Sequence, residues 1–210
     1  MKIISGSTSK KIGKDLCKEL KCSLVDIEHK IFPDGEQYIR IDEDISNEEI
    51  SIIQTTYPDE KIIELFLIQD AVKRFNVKKV HVVVPYFGYA RQDQQFKKGE
   101  PISAEALAKI ISLNADRVIT IDPHKEYILD FFDVESFSCS AVSEIAKYLK
   151  GKDIDLVLAP DKGAAERAKK ASNIIGTEFD FMEKKRLDGT TVEIKPKKIN
   201  AKQKKVAIID

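Results

Sequence analysis

Three short apolar runs each end in groups that can hold a ligand. Val80–Val84 leads to Tyr86, Tyr89, Arg91, Gln92 and Asp93; Val118–Ile121 leads to Asp122-Pro123-His124; Leu156–Ala159 leads to Pro160-Asp161-Lys162-Gly163. The first set mixes aromatic faces, a guanidinium, an amide and a carboxylate, which want solvent or a ligand rather than a core. His124 and Asp161 suit a Mg²⁺ site, directly or through water, because that ion keeps several waters and takes few protein ligands. The plainer account is that Asp122 and Asp161 cap the helices that follow. Taken singly, each is better explained as a cap; convergence of three such ends on one rim weighs the other way. Phe32-Pro33-Asp34-Gly35-Glu36 puts an aromatic beside two carboxylates, on what alone reads as a tight turn. Glu183-Lys184-Lys185-Arg186 places three cations at the root of a glycine-containing hairpin. Alone, such a run is a solvated charged face.

The elements that must position these groups follow from patterning. Val80–Val84, Val118–Ile121, Leu156–Ala159 and Val206–Ile209 lack polar alternation and read as strands buried on both faces, as in parallel sheets. Helical patterns lie between them at Ile62–Phe75, Ser103–Leu113, Val142–Leu149 and Ala164–Ile175. The alternation predicts an α/β, doubly wound architecture. Leu24–Ile41, with Pro33-Asp34-Gly35 inside it, predicts a hairpin protruding from the sheet. Glu183–Ile194, with Asp188-Gly189 at its turn, predicts a second. A new strand–helix series begins near Ser140, so the chain is expected to divide into residues 1–141 and 142–210. Lys205–Asp210 reads as a core strand delivering an acid at its carboxyl end with no helix after it. The expectation is that the natural protein continues, or that this is a shortened form.

Composition sets outer bounds. The 210 residues are 42% hydrophobic, which supports a real core, and 33% charged with a formal net charge of zero. That balance argues against bulk electrostatic binding of nucleic acid. Cys17, Cys22 and Cys139 form no C-x-x-C pair and read as reduced thiols of a cytoplasmic protein. Met1–Ser5 is too short an apolar run for a signal peptide or membrane span.

In this order, the motifs Phe32–Glu36, Pro85–Asp93, Asp122-Pro-His124, Ala159–Gly163 and Glu183–Arg186 resemble the ribose-phosphate diphosphokinase (PRPP synthetase) family. The resemblance spans essentially the whole chain and is nearer to archaeal members than to bacterial ones. It implies two phosphoribosyltransferase-like α/β domains with parallel sheets, the second incomplete here. It implies transfer of the diphosphoryl group of ATP to the C1 hydroxyl of ribose 5-phosphate, giving PRPP and AMP, in a homo-oligomer of at least two subunits. By the same resemblance, Phe32, Asp34, Gly35, Glu36, Arg91, Gln92 and Asp93 bind ATP, with adenine between Arg91 and Phe32 and the hairpin serving a neighbouring subunit. His124 and Asp161 position Mg²⁺, Lys184 and Arg186 are the catalytic cations of a mobile loop, and Arg186 and Asp210 face ribose 5-phosphate.

The sequence departs from the family pattern twice. It stops at Asp210, the first acid of the family's PRPP-binding loop, and Ala164 stands where the family usually has a second glycine. A methyl there is expected to crowd a close backbone approach. Two other readings remain open: a non-catalytic subunit associated with the synthetase, and a phosphoribosyltransferase that consumes PRPP. The latter has no need of the Phe32–Glu36 and Tyr89–Asp93 elements.

Overall fold

The computed structural model describes residues 1–186, 192–195 and 201–210, with residues 183–186 and 192–195 described by backbone alone. The chain forms two compact units, Met1–Cys139 and Ser140–Asp210.

The first unit is built on a six-stranded parallel sheet. In chain order its strands are β1 (Lys2–Ser5), β2 (Ser23–Val25), β5 (Glu49–Ile53), β6 (Lys79–Val84), β7 (Arg117–Ile121) and β8 (Glu135–Cys139). In space they run β2-β1-β5-β6-β7-β8. Helices α1 (Lys10–Leu20), α2 (Glu60–Lys73) and α3 (Ser103–Ser112) provide crossovers that parallel pairing requires. Strand order reverses between β1 and β5, which makes that crevice the topological switch point. One core joins Ile4, Ile52, Val82 and Val118 of the sheet to Leu65 and Ile68 of α2 and to Leu107 and Ile111 of α3. β6 reads as an unbroken apolar run from Val80 because Val80, Val82 and Val84 are fully buried and the opposite face is half-buried.

β3 (Ile27–Ile31) and β4 (Gln37–Ile41) form a separate antiparallel hairpin. It lies outside the large sheet, as expected, but it is not free-standing. Ile41 belongs to the core, and Ile27 and Ile39 pack against it. The other face carries Glu28, Lys30, Tyr38 and Arg40, with Glu28 paired to both cations.

The second unit has a three-stranded parallel sheet in the order β10-β9-β13. Its strands are β9 (Leu156–Ala159), β10 (Glu178–Phe181) and β13 (Val206–Ile208). Helices α4 (Val142–Leu149) and α5 (Ala165–Ile175) pack small residues against it, with Ala146, Ala168 and Ala171 in the core beside Val157 and Ala159. The hairpin of β11 (Glu183–Arg186) and β12 (Val192–Lys195) is antiparallel, and its Asp188-Gly189 turn lies outside the described residues.

This arrangement corrects one expectation. The three polar strand ends do not share one sheet. β6 and β7 belong to the first sheet and β9 to the second, because β8 ends the first series and the chain starts another at Ser140.

Candidate active site

The exit of β6 is braced from several elements. Thr56, beyond the end of β5, donates from its backbone N to the Tyr86 carbonyl at 3.1 Å and accepts at Oγ1 from the Gly88 N–H at 2.7 Å. A β-carbon at position 88 would lie 2.6 Å from the Thr56 carbonyl oxygen, so only glycine permits this approach. Phe87 and Ala90 are buried, and Phe87 packs on Phe132 with ring centroids 5.5 Å apart. Tyr86, Tyr89 and Arg91 are left facing solvent. Tyr89 has a positive φ of 63°, and its carbonyl accepts from the Gln92 N–H at 3.2 Å, so the chain turns sharply at the arginine. The Asp59 carboxylate beside the Tyr89 hydroxyl raises its pKa.

Gln92 and Asp93 turn inward. Ser103 Oγ donates to Gln92 Oε1 at 2.5 Å, and the Ala104 N–H donates to the Gln92 carbonyl at 3.1 Å, which ties the loop to the start of α3. Asp93 is buried and accepts from the Tyr127 hydroxyl at 2.5 Å. That hydrogen bond to a carboxylate raises the pKa of Tyr127.

Tyr127 is the link to the second strand end. It lies on the 3₁₀ turn Glu126–Phe131 that follows Asp122-Pro123-His124. Asp122 has a positive φ of 42°, its N–H donates to the Cys139 carbonyl at 2.9 Å, and His124 is exposed. The Asp93–Tyr127 bond therefore joins the arginine loop to the histidine loop. Neither Tyr127 nor Thr56 carries a signal in a single sequence, since each is defined by a partner far along the chain.

The hairpin tip is a tight turn with a glycine bulge. The Gly35 N–H donates to the Phe32 carbonyl at 2.9 Å and the Phe32 N–H to the Glu36 carbonyl at 2.8 Å, with Gly35 at φ 92°. Asp34 Oδ1 accepts from the Glu36 N–H at 3.0 Å. The Asp34 side chain thus helps shape its own turn. Phe32 is exposed and meets Tyr38 edge-on at 6.2 Å.

In the second unit Asp161 caps the turn that follows β9, accepting at Oδ1 from the N–H groups of Gly163 at 2.8 Å and Ala164 at 3.2 Å. Ala164 is fully buried in the core, so its methyl packs inward rather than obstructing the exposed Gly163. Asp210 is exposed, with Arg167 Nη2 at 3.9 Å from its Oδ1. Lys184 and Arg186 stand in β11 opposite Ile194 and Val192, and their side chains lie outside the described residues. Among the described residues no group of three or more His, Cys, Asp or Glu is placed to hold a metal. All three cysteines are free, and no helix among the described residues is long and apolar enough to cross a membrane.

Comparison with known proteins gives a consistent picture. A family model described as the N-terminal domain of ribose phosphate pyrophosphokinase matches residues 1–114. The chain is 42% identical over 217 residues to a ribose-phosphate pyrophosphokinase of Saccharolobus solfataricus, covering 100% of this chain and 74% of that protein. It is 37% identical over 215 residues to one of Methanopyrus kandleri, with the same coverage of each. The crystal structure of phosphoribosylpyrophosphate synthetase from Mycobacterium smegmatis matches the fold with a TM-score of 0.77 at 24% identity, covering 92% of this chain and 66% of that one.

Proposed function

The chain belongs to the ribose-phosphate pyrophosphokinase family, and from that premise we propose that it transfers the diphosphoryl group of ATP to the C1 hydroxyl of ribose 5-phosphate, giving PRPP and AMP. The observation that carries the reading is the β6 exit. There the fold uses Thr56, Gly88, Ser103 and Tyr127 to hold a loop whose outward groups are Arg91 and two tyrosine rings. A guanidinium held at a strand's carboxyl edge suits stacking on adenine, with Phe32 as the second flat surface. Asp34 and Glu36 contact the nucleotide beside it. Gln92 and Asp93 serve that site chiefly by fixing the loop.

Residues 1–141 carry these ATP elements, and residues 142–210 belong to a second phosphoribosyltransferase-like domain. Attack of the C1 hydroxyl on the β-phosphorus builds negative charge on the phosphoryl oxygens and on the departing AMP. Lys184 and Arg186 neutralise that charge. Arg186 and Asp210 orient ribose 5-phosphate. By family membership, His124 of the first unit and Asp161 of the second are each proposed as contacts of a Mg²⁺ that comes with the ATP phosphates, directly or through water; bound, the ion would supply further charge neutralisation. In this reading the protein acts in the cytoplasm as a homo-oligomer of at least two subunits, and each Phe32–Glu36 tip serves a neighbour's ATP. A strictly monomeric species that binds ATP at full affinity would remove that last part.

The reaction is tested with ATP labelled in its β-phosphate and ribose 5-phosphate, using the protein at its full natural length. Label should appear in PRPP with unlabelled AMP as co-product. Labelled ADP instead would mean transfer of a single phosphoryl group and would overturn the proposal.

A further inference from the structure

The switch point between β1 and β5 is where an open parallel sheet usually takes its ligand. Here it is filled by the protein's own carboxylate. Glu64 of α2 is fully buried, and Ser7 in the loop after β1 grips both of its oxygens: the Ser7 N–H donates to Oε1 and Ser7 Oγ donates to Oε2, each at 2.6 Å. Lys61 Nζ donates to Oε2 at 3.2 Å. A backbone N–H with a hydroxyl and a lysine is the set that an anion would meet at such a loop. Burial works to raise the Glu64 pKa, but the two Ser7 bonds and Lys61 outweigh it and hold the carboxyl below the ordinary glutamate range.

The same carboxylate reaches the hairpin. His29 Nδ1 of β3 lies 3.9 Å from Glu64 Oε1. The other ring nitrogen, Nε2, donates to Gln37 Oε1 of β4 at 2.9 Å, and Gln37 Nε2 donates to the Glu60 carbonyl of α2 at 2.7 Å. Gln37 directly follows Glu36 and pairs with Ile31, so this chain of contacts ends at the base of the Phe32–Glu36 tip. The outer face of the hairpin carries solvent-facing charge pairs, Lys30 over Tyr38 and the edge-on Phe32–Tyr38 contact, which hold such a ribbon weakly. The orientation of the tip therefore rests on the inner polar contacts together with the apolar packing of Ile27, Ile39 and Ile41.

We propose that the buried Glu64 and the partly exposed His29 and Gln37 form a polar tie that converts the switch-point crevice from a ligand site into an anchor. The tie fixes the hairpin tip and so sets ATP affinity without touching ATP. These three are positioning residues, and the claim rests on the ATP reading of the tip given above. It is tested by hydrogen exchange and by calorimetric titration with MgATP in the wild type, Glu64→Gln, His29→Ala and Gln37→Ala. Ile68→Val, in the α2 core, serves as a control that lowers stability without touching the tie.

Amides of residues 28–40 should exchange about tenfold faster in the tie variants, the scale of one lost hydrogen bond, while those of β5 and β6 stay unchanged. ATP dissociation constants should rise about five- to tenfold in the tie variants and stay flat in Ile68→Val. Should Glu64→Gln fail to fold, His29→Ala and Gln37→Ala carry the test. Unchanged hairpin exchange in these variants overturns the tie. Faster exchange with unchanged ATP affinity, in a protein whose Arg91→Ala variant does lose ATP, overturns its role in positioning. If the wild type binds no ATP at all, the ATP reading itself fails and the positioning role falls with it, while the exchange data still report whether the hairpin is tied.

Discussion

The exits of β6 and β9 look alike in sequence, an apolar strand followed by proline and polar residues, yet they are built in opposite ways. The β6 exit is held by distant elements: Thr56 from beyond β5, Ser103 at the start of α3 and Tyr127 from the 3₁₀ turn. The β9 exit is held by its own Asp161, which bonds two amides within three residues of itself. A loop braced from outside keeps its outward groups free for a ligand while other side chains bear the load. A loop that braces itself spends its polar residue on the brace. Arg91 is thus available for binding in a way that Asp161 is only in part.

The largest effect expected from this contrast comes from adding one methyl to each loop. Gly88→Ala drives a β-carbon to 2.6 Å from a backbone carbonyl that cannot swing aside. Overpacking of that kind costs about 3 kcal/mol and should displace the Arg91 loop. Gly163→Ala meets only Asp161 Oδ1, at 3.1 Å, on an exposed turn, and should cost under about 1 kcal/mol. Denaturant midpoints of the two variants compare them directly. Equal losses would mean that the two exits are held alike.

Next in size is Tyr127→Phe. It removes the partner of the buried Asp93 carboxylate without changing the ring's packing. The expected cost is about 2 kcal/mol in unfolding free energy, with weaker ATP binding because the arginine and histidine loops lose their link. Calorimetry on the folded variant separates the two losses.

Arg91→Ala should behave in the opposite sense. Its side chain is exposed, so stability should hold within about 0.5 kcal/mol, while ATP binding weakens by about 1–2 kcal/mol. Unchanged ATP affinity would remove Arg91 from the site and with it the main functional meaning of the β6 brace.

What the sequence made legible follows the same divide between local and distant. The Pro33-Asp34-Gly35 turn could be read because its bonds run among Phe32, Asp34, Gly35 and Glu36. The cap by Asp161 could be read for the same reason, and so could the apolar runs of β6, β7 and β9 and the helices between them. β1, β2, β5, β8 and β10 carry no comparable signal. Lys2–Ser5 is short, and Glu135-Ser-Phe-Ser-Cys139 alternates polar and apolar because β8 is an edge strand with one neighbour. The contacts that organise the site span 34 residues for Tyr127–Asp93 and 57 for Ser7–Glu64. No spacing rule reaches so far. For Asp161 the sequence is compatible with either a cap or a metal contact, and the structure shows the cap.

The smallest effect decides whether Asp161 does both. A helix cap needs an acceptor oxygen, which asparagine supplies as well as aspartate does. A Mg²⁺ contact draws on the negative charge, which asparagine lacks. Asp161→Ala should cost about 1 kcal/mol of stability through loss of the two amide bonds. Asp161→Asn should leave stability within a few tenths of a kcal/mol, because Oδ1 still accepts from Gly163 and Ala164. If Asp161 also serves the ion, the asparagine variant should need more Mg²⁺ to reach half-maximal ATP binding, with ATP affinity restored at saturating metal. A Mg²⁺ dependence identical to the wild type would assign Asp161 to capping alone, and the β9 exit would then contribute shape rather than charge.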